Sequence, residues 1–371
     1  MTTLTLLRGV DTYAPEPLGR QDILLGGDRI LAIAPRLDTP HGWPVRVIDG
    51  DGLRAIPGLV DTHTHLTGGG GEGGAETRVP PMLAESFKQA GVTTAIGLLG
   101  TDCTTRSIPE LLACARGLEA QGVRTFVYTG GYVVPPRTLT GSVRDDIVHV
   151  DRIVAVGETA ISDHRSSQPT FEEFVRLAAD AHVAGMMTKK AGLLHLHLGD
   201  GPRRLALVQR ALDETELPAR TFHPTHCNRN RPLWEDAKTL SRRGVTIDVT
   251  AFDTDGDAPS AAQAFLEWRH AGLDPARLTI SSDGGGCLPT FDADGVLLHM
   301  DVGSSATLLA TIRTLVAEGI PLGEALAPVT RTPAALFRLH DRGALRPGLL
   351  ADVVLLDDRL DVVRLGAATP R

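Results

Sequence analysis

Gly58-Leu59-Val60-Asp61-Thr62-His63-Thr64-His65 is the run on which the fold of this chain turns. Leu59–His65 is apolar at its start and polar at its end, the pattern of a buried strand that opens at its carboxyl end. Side chains alternate along a strand, so His63 and His65 point to the same side. Two imidazoles side by side at a strand end suit one divalent metal ion. Two hydrogen-bonded surface histidines would read the same way, so the rest of the chain has to decide.

From about residue 57 onward the sequence alternates between strand and helix patterns. Strand candidates after Leu59–His65 are Thr93–Leu99, Thr125–Thr129, Val154–Ile161, Leu193–Leu198, Ala219–His226, Val245–Val249 and Leu278–Ser282. Amphipathic helix patterns cover Pro81–Ala90, Ile108–Ala120, Phe171–Ala184, Arg203–Leu212, Trp234–Arg243, Ala261–Ala271 and Ser304–Glu318. Eight strands in alternation with helices are the count of an α/β fold of the (β/α)8 TIM-type barrel kind. A doubly wound open sheet is the rival, but it rarely needs eight alternations.

Outside residues 57–342 the pattern is different. Leu4–Leu7, Asp22–Leu25, Arg29–Ile33 and Arg46–Ile48 are short strands, with Gly26-Gly27-Asp28 as a hairpin-type turn. Ala351–Leu356 and Asp361–Leu365 return to strand after the turn Gly343–Gly348. Residues 1–56 and 343–371 are therefore expected to share one small β-sandwich domain, with the barrel inserted between them. Gly68–Gly74, with Glu72 inside it, reads as a flexible loop after the first barrel strand.

Composition narrows the function. The chain has 371 residues, 42% of them hydrophobic, and a net charge of −8. No basic cluster offers a nucleic-acid surface. No run reaches the ~18 apolar residues of a membrane span. The N-terminus lacks a basic segment followed by a long apolar stretch, so no signal peptide is expected. Cys103, Cys114, Cys227 and Cys287 form no CxxC pair and read as the reduced thiols of a cytoplasmic protein.

In a barrel, chemistry sits at the carboxyl ends of the strands. The polar residues there are His63 and His65 on the first strand, Glu158 on the fourth, His197 on the fifth, His226 on the sixth and Asp283 on the eighth. Four imidazoles and two carboxylates at one mouth make a nitrogen and oxygen site for two zinc-like divalent ions. Any one of these residues alone is more often structural; five strands contributing at the same level is a much stronger signal.

These residues resemble the signature of the amidohydrolase superfamily. Within it, the likeness is to the isoaspartyl (β-aspartyl) dipeptidase family. It rests on His65-Leu-Thr-Gly-Gly-Gly-Gly-Glu72, Tyr128-Thr-Gly-Gly-Tyr132, Ala160-Ile-Ser-Asp-His-Arg165, His197-Leu-Gly-Asp200, Pro224-Thr-His-Cys-Asn-Arg229 and Ser281-Ser-Asp-Gly284. The resemblance covers nearly the whole chain. It implies hydrolysis of the β-aspartyl amide of a dipeptide, with a metal-bound hydroxide attacking the amide carbon. Asp283 is then both metal ligand and proton shuttle, and Tyr132 polarises the scissile carbonyl. Glu72 takes the substrate's α-ammonium, and Arg165 and Arg229 take carboxylate, for which a guanidinium fork is suited. A homo-oligomer is also implied. Without the motifs, Glu72 is a solvated loop carboxylate, the arginines are structural ion pairs and Tyr132 is a packed aromatic. His195 is read as core or supporting shell, His164 as packing against or orienting Arg165, Asp163 as a cap or ion-pair partner, and Lys189 and Lys190 as solvated.

Two positions depart from the family pattern. The bridging residue on the fourth strand is commonly a lysine carboxylated by carbon dioxide, and here it is Glu158. The chain's only lysines, Lys88, Lys189, Lys190 and Lys238, lie at the end of no candidate strand. Glutamate is shorter, so the fourth strand must come closer to the metals or the metals must shift toward it, and Gly157 gives the backbone local freedom. Cys287 stands where a serine commonly lies near substrate carboxylate, and a thiol donates hydrogen bonds weakly. The rival activities are cyclic-amide hydrolysis of the dihydroorotase kind and N-acyl amino acid deacylation. A scaffold that lost activity through the change at Glu158 is the non-enzymatic rival.

Overall fold

A computed structural model describes residues 4–252, 256–291 and 297–365. The first strands are β1 (Leu4–Tyr13), β2 (Pro17–Gly26), β3 (Arg29–Ala34), β4 (Val45–Asp49) and β5 (Arg54–Pro57). Eight strands of the central region follow: β6 (Leu59–Thr64), β7 (Val92–Gly97), β8 (Arg124–Thr129), β9 (Ile153–Ile161), β10 (Leu194–Leu198), β11 (Phe222–Thr225), β12 (Ile247–Thr250) and β13 (Leu278–Ser281). A hairpin of β14 (Cys287–Phe291) and β15 (Leu297–Val302) comes next, and β16 (Val353–Leu356) and β17 (Val362–Leu365) close the chain's described part.

Strands from both ends belong to one seven-stranded sheet, in the order β17-β16-β5-β1-β2-β3 with β4 beside β1. β16 runs antiparallel to β5, and Val353 faces Pro57 across the join. Leu7, Val10, Ile23, Leu25, Ile30, Ala55, Val353 and Leu355 bury a common apolar face there. A single glycine, Gly58, separates this sheet from β6.

β6 to β11 form a parallel sheet in sequence order, and β12 pairs parallel with β13. The two pieces meet at both edges. The Cys227 amide donates to Asp248 O at 3.2 Å, and the His65 amide donates to Gly284 O at 2.7 Å. The result is a round of eight parallel strands with helices outside, the arrangement of a TIM-type barrel. β6, β7, β9, β10, β11, β12 and β13 are buried along their whole length, because a parallel strand is covered on both faces. Helix starts follow local signals. Ser107 caps Ile108–Ala120 with Pro109 in its first turn, Thr170 and Glu173 make a capping box for Phe171–Thr188, and Asn230 caps Arg231–Ser241.

Some expectations change. Ala219–Thr221 is a 3-10 turn, and the sixth barrel strand starts only at Phe222. Helix Arg231–Ser241 begins before the expected Trp234, since Asn230 and Pro232 are start signals. Helix Val143–His149 and the hairpin β14–β15 were not foreseen. Lys190 is not solvated: its ammonium donates to Ile147 O at 2.6 Å and Val150 O at 2.7 Å. It thereby satisfies carbonyls left open at the end of the 143–149 helix. Lys189 is exposed, as expected.

Candidate active site

At the carboxyl ends of the barrel strands, Glu158 lies at the centre of a buried cluster. Its carboxylate oxygens are 3.6 Å from His63 Nε2, 3.5 Å from His65 Nε2, 3.1 Å from His197 Nδ1 and 3.7 Å from His226 Nε2. Asp283 Oδ1 is 3.3 Å from His63 Nε2 and 3.1 Å from His65 Nε2. The structure thus brings together all six residues read as ligands. They form three overlapping trios able to hold a metal: His63, His65 and Glu158; Glu158, His197 and His226; and His63, His226 and Asp283.

Local backbone explains how Glu158 enters this cluster. In the pairing of β9 with β10, Val156 faces Leu194 and Thr159 faces Leu196, so Gly157 and Glu158 together oppose His195 alone. Such a bulge re-aims a side chain. Gly157 has φ 150, and a Cβ there would lie 2.7 Å from the His195 Cβ and carbonyl oxygen, so only glycine fits. His226 and Asp283 adopt φ 59 and 54, a sparsely populated region for non-glycine residues that recurs at functional sites.

The donor set fits divalent cations. Among the described residues, His63 Nε2 and Asp283 Oδ1 are buried without a hydrogen-bond partner, although they lie close together. Burial holds the His63, His197 and His226 imidazoles below their ordinary pKa, with His197 at about 3, so each is neutral and has a lone pair to give. Burial, and then the charge of Asp283, pushes the Glu158 carboxyl well up. An unpaired anion there is costly, and a cation removes that cost. Burial would raise Asp283 too, but its contacts with His63 and His65 outweigh that and hold it well below the carboxylate range.

Other residues orient these ligands. Asp163 is buried 2.9 Å from His197 Nε2, which leaves Nδ1 facing Glu158 and Tyr132. Such a carboxylate behind a ligand histidine sets its tautomer. His63 Nδ1 is 2.8 Å from His195 Nε2, His195 Nδ1 is 3.0 Å from the His223 carbonyl, and His223 Nε2 is 3.0 Å from the Thr279 hydroxyl, which donates to Asp248 at 2.5 Å. With the proton on His63 Nδ1, every donor in this chain points away from the ligand cluster. His195 therefore supports His63, and its cross-strand partner His223 continues the chain. The His226 ring is held by Thr250, 2.7 Å from Nδ1.

Around the cluster lie the residues read as substrate-binding. The Tyr132 hydroxyl is buried 2.8 Å from His197 Nδ1, and burial raises its pKa well above the ordinary value, so it keeps its proton. Arg165 grips Asp163 through two bonds of 3.0 and 2.8 Å and reaches Glu72 at 3.1 Å. The Cys287 thiol meets the same Glu72 oxygen at 3.2 Å, and burial with that charge pushes its pKa up to about 12. Cys287 thus contacts the expected ammonium site. His164 does not orient Arg165: its side chain is 90% exposed, and Asp163 does that work. Among the described residues, Arg229 has a buried Nε without a hydrogen-bond partner and makes one ion pair, a 4.0 Å approach to the exposed Asp200. Asn228 anchors this loop by bonding to Thr250 and Pro259.

Sequence reasoning gave Asp163 only a generic pairing role and missed His223, Asn228 and Arg106. Asp163 and Asn228 lie inside the quoted motifs. A polar residue expected to be buried beside a ligand was the available signal for them.

A parallel eight-stranded barrel with histidines and acids at its carboxyl end is the architecture of a metal-dependent hydrolase. The chain belongs to the amidohydrolase family, whose model matches residues 54–369. One kind of member is much more similar than the others below. The structure is similar to a β-aspartyl dipeptidase from Fervidobacterium islandicum AW-1, solved in complex with the β-Asp-Leu dipeptide. The TM-score is 0.94 and the identity 40%, with 98% of this chain and 94% of that one covered. An N-acetylglucosamine-6-phosphate deacetylase from Pasteurella multocida shares the fold, with a TM-score of 0.63 and 16% identity over 99% of both chains. An imidazolonepropionase from Methylobacterium nodulans is 27% identical, over 89% of this chain and 85% of the relative. Among the described residues, no helix is long and apolar enough to cross a membrane.

Proposed function

We propose that this chain hydrolyses the β-aspartyl amide bond of dipeptides with two divalent cations, zinc in the first instance. The observation that carries this reading is the Glu72–Arg165 pair, together with Arg229, whose buried Nε has no hydrogen-bond partner among the described residues, at the mouth of a six-ligand cluster. A dipeptide linked through the aspartyl side chain offers an ammonium, two carboxylates and one amide, which match these groups in charge and number. His63, His65, Glu158, His197, His226 and Asp283 are the residues that would hold the cations. Bound there, they supply Lewis acidity and a water activated for attack.

This chain's own residues do the rest. Arg229 and Arg165 bind carboxylate, and Glu72 takes the ammonium in exchange for its contact with Arg165. Tyr132 donates its hydroxyl proton toward the scissile carbonyl oxygen as charge develops there. Asp283 takes the proton from the attacking water and returns it to the leaving amine nitrogen. We further propose that the terminal strands form a separate small sandwich domain, that the protein is a homo-oligomer and that it is cytoplasmic. Four free cysteines support the last point.

The deciding assay compares β-Asp-Leu with α-Asp-Leu on metal-reconstituted protein, and turnover of the β-linked dipeptide alone is expected. Preference for an N-acetylated substrate would move the reading to the deacylase side. Arg229→Met should lower kcat/KM for β-Asp-Leu by the equivalent of roughly 2–5 kcal/mol, the cost of losing a buried charge pair. Unchanged kcat/KM would remove Arg229 from the site. Glu72→Gln should cost roughly 10- to 100-fold on the free dipeptide, since a hydrogen bond to a charged group is worth ~1.5–3 kcal/mol.

A further inference from the structure

Glu72 sits on a stretch of chain that has few side chains to fix it. Gly68, Gly70, Gly71 and Gly74 take φ of 77, 71, 102 and 116, and Glu72 itself is on an exposed turn. Yet its side chain is only 16% exposed, and the carboxylate is turned to Arg165 and Cys287. Something must set the path of the loop.

Arg106 does so from beneath. It is 3% exposed and lies just before the helix Ile108–Ala120. Its Nε donates to Thr67 O at 3.3 Å, Nη2 to Gly69 O at 2.7 Å and Val79 O at 3.2 Å, and Nη1 to Gly70 O at 3.2 Å. A fifth bond, from Nη1 to Asp102 at 2.9 Å, balances the charge. A guanidinium has five N–H donors, so all are used, four of them on carbonyls of the loop that carries Glu72. Asp102 is held in turn by the Thr105 amide at 2.8 Å and by Arg78 at 3.0 Å. The loop also lies against the chain after β13, where the Gly69 amide donates to Gly285 O at 2.8 Å. A buried arginine that only satisfied itself would have no reason to gather carbonyls from both ends of one loop.

We propose that Arg106, braced by Asp102, is a positioning residue that fixes the 67–79 loop and so holds Glu72 where the substrate's ammonium binds. This rests on the ammonium reading of Glu72. Lysine cannot replace Arg106, because a compact ammonium with three donors cannot span carbonyls so arranged.

The test uses full-length, metal-loaded protein. Arg106→Met, Arg106→Lys, Asp102→Asn, Glu72→Gln and the Arg106→Met/Glu72→Gln double variant are assayed on β-Asp-Leu. Amide hydrogen exchange is followed over residues 67–79. Arg106→Met and Arg106→Lys should speed exchange in that loop and lower kcat/KM by about tenfold or more, mainly through KM. In the Glu72→Gln background the same change should cost less than about twofold, the non-additivity of two residues acting through one contact. An equal loss in both backgrounds, or exchange left at the wild-type rate, overturns the proposal. If Glu72→Gln alone leaves kcat/KM intact, the ammonium reading fails and with it the functional half. Loop exchange then decides the anchoring half by itself. Should Arg106→Met not fold, Arg106→Lys and Asp102→Asn carry the same comparison, because both leave the core side chains in place.

Discussion

Asp283→Asn is expected to lose nearly all turnover of β-Asp-Leu, by the roughly 10²–10⁴-fold usual for a general acid–base residue. The amide can still lie beside His63 and His65 but cannot take a proton and give it back. Asp283 is placed for both halves of that task. It follows β13, its contacts with the two histidines keep it ionised, and among the described residues its Oδ1 makes no hydrogen bond that would compete for the proton. The variant is to be compared at equal metal content, because asparagine is also a weaker ligand. Retention of more than about a tenth of wild-type kcat, with metal still bound, would end the shuttle role.

The second large effect concerns Glu158. Two divalent cations ~4 Å apart repel by roughly 17 kcal/mol even at an effective dielectric of ~20, so an anion between them is required. Glu158 is the carboxylate that lies within 3.7 Å of all four ligand histidines. Glu158→Gln should therefore bind about one cation per chain and lose activity by at least ~10²-fold, as expected when a two-metal clamp is broken. Anomalous diffraction at the zinc edge should give two peaks in the wild-type protein. A single peak in fully loaded crystals, or activity that rises with added bicarbonate, would count against a glutamate-bridged pair. The four lysines lie on helices or just after one, and none is at the carboxyl end of a barrel strand.

How much of this was legible depends on range. His63 and His65 were readable because strand alternation needs only neighbouring residues. His195 and His197 follow the same rule on β10, and their shared inward face was legible too. What His195 does there was not, because His63 and His223 reach it from other strands. His164 and Arg165 are adjacent in sequence, yet one points to solvent and the other into the site. That choice is made by Asp163, which is buried by its contact with His197. Lys190 looked like a charge at a helix end until packing placed the 143–149 helix terminus over it.

The sequence by itself determined the order of the eight barrel strands with helices between most of them, the polar residues at five strand ends and the absence of a lysine among them. Each of these follows from local periodicity and residue type. Only the tertiary structure decided that Glu158 reaches the middle of the cluster, through a two-for-one bulge opposite His195. It alone turned four loop carbonyls onto Arg106 and left Arg229 Nε buried with no hydrogen-bond partner among the described residues. Those features depend on strand register and on contacts between segments far apart in the chain. Hydrogen-bond partners across a barrel are set by how the strands slide past one another, which no local pattern encodes.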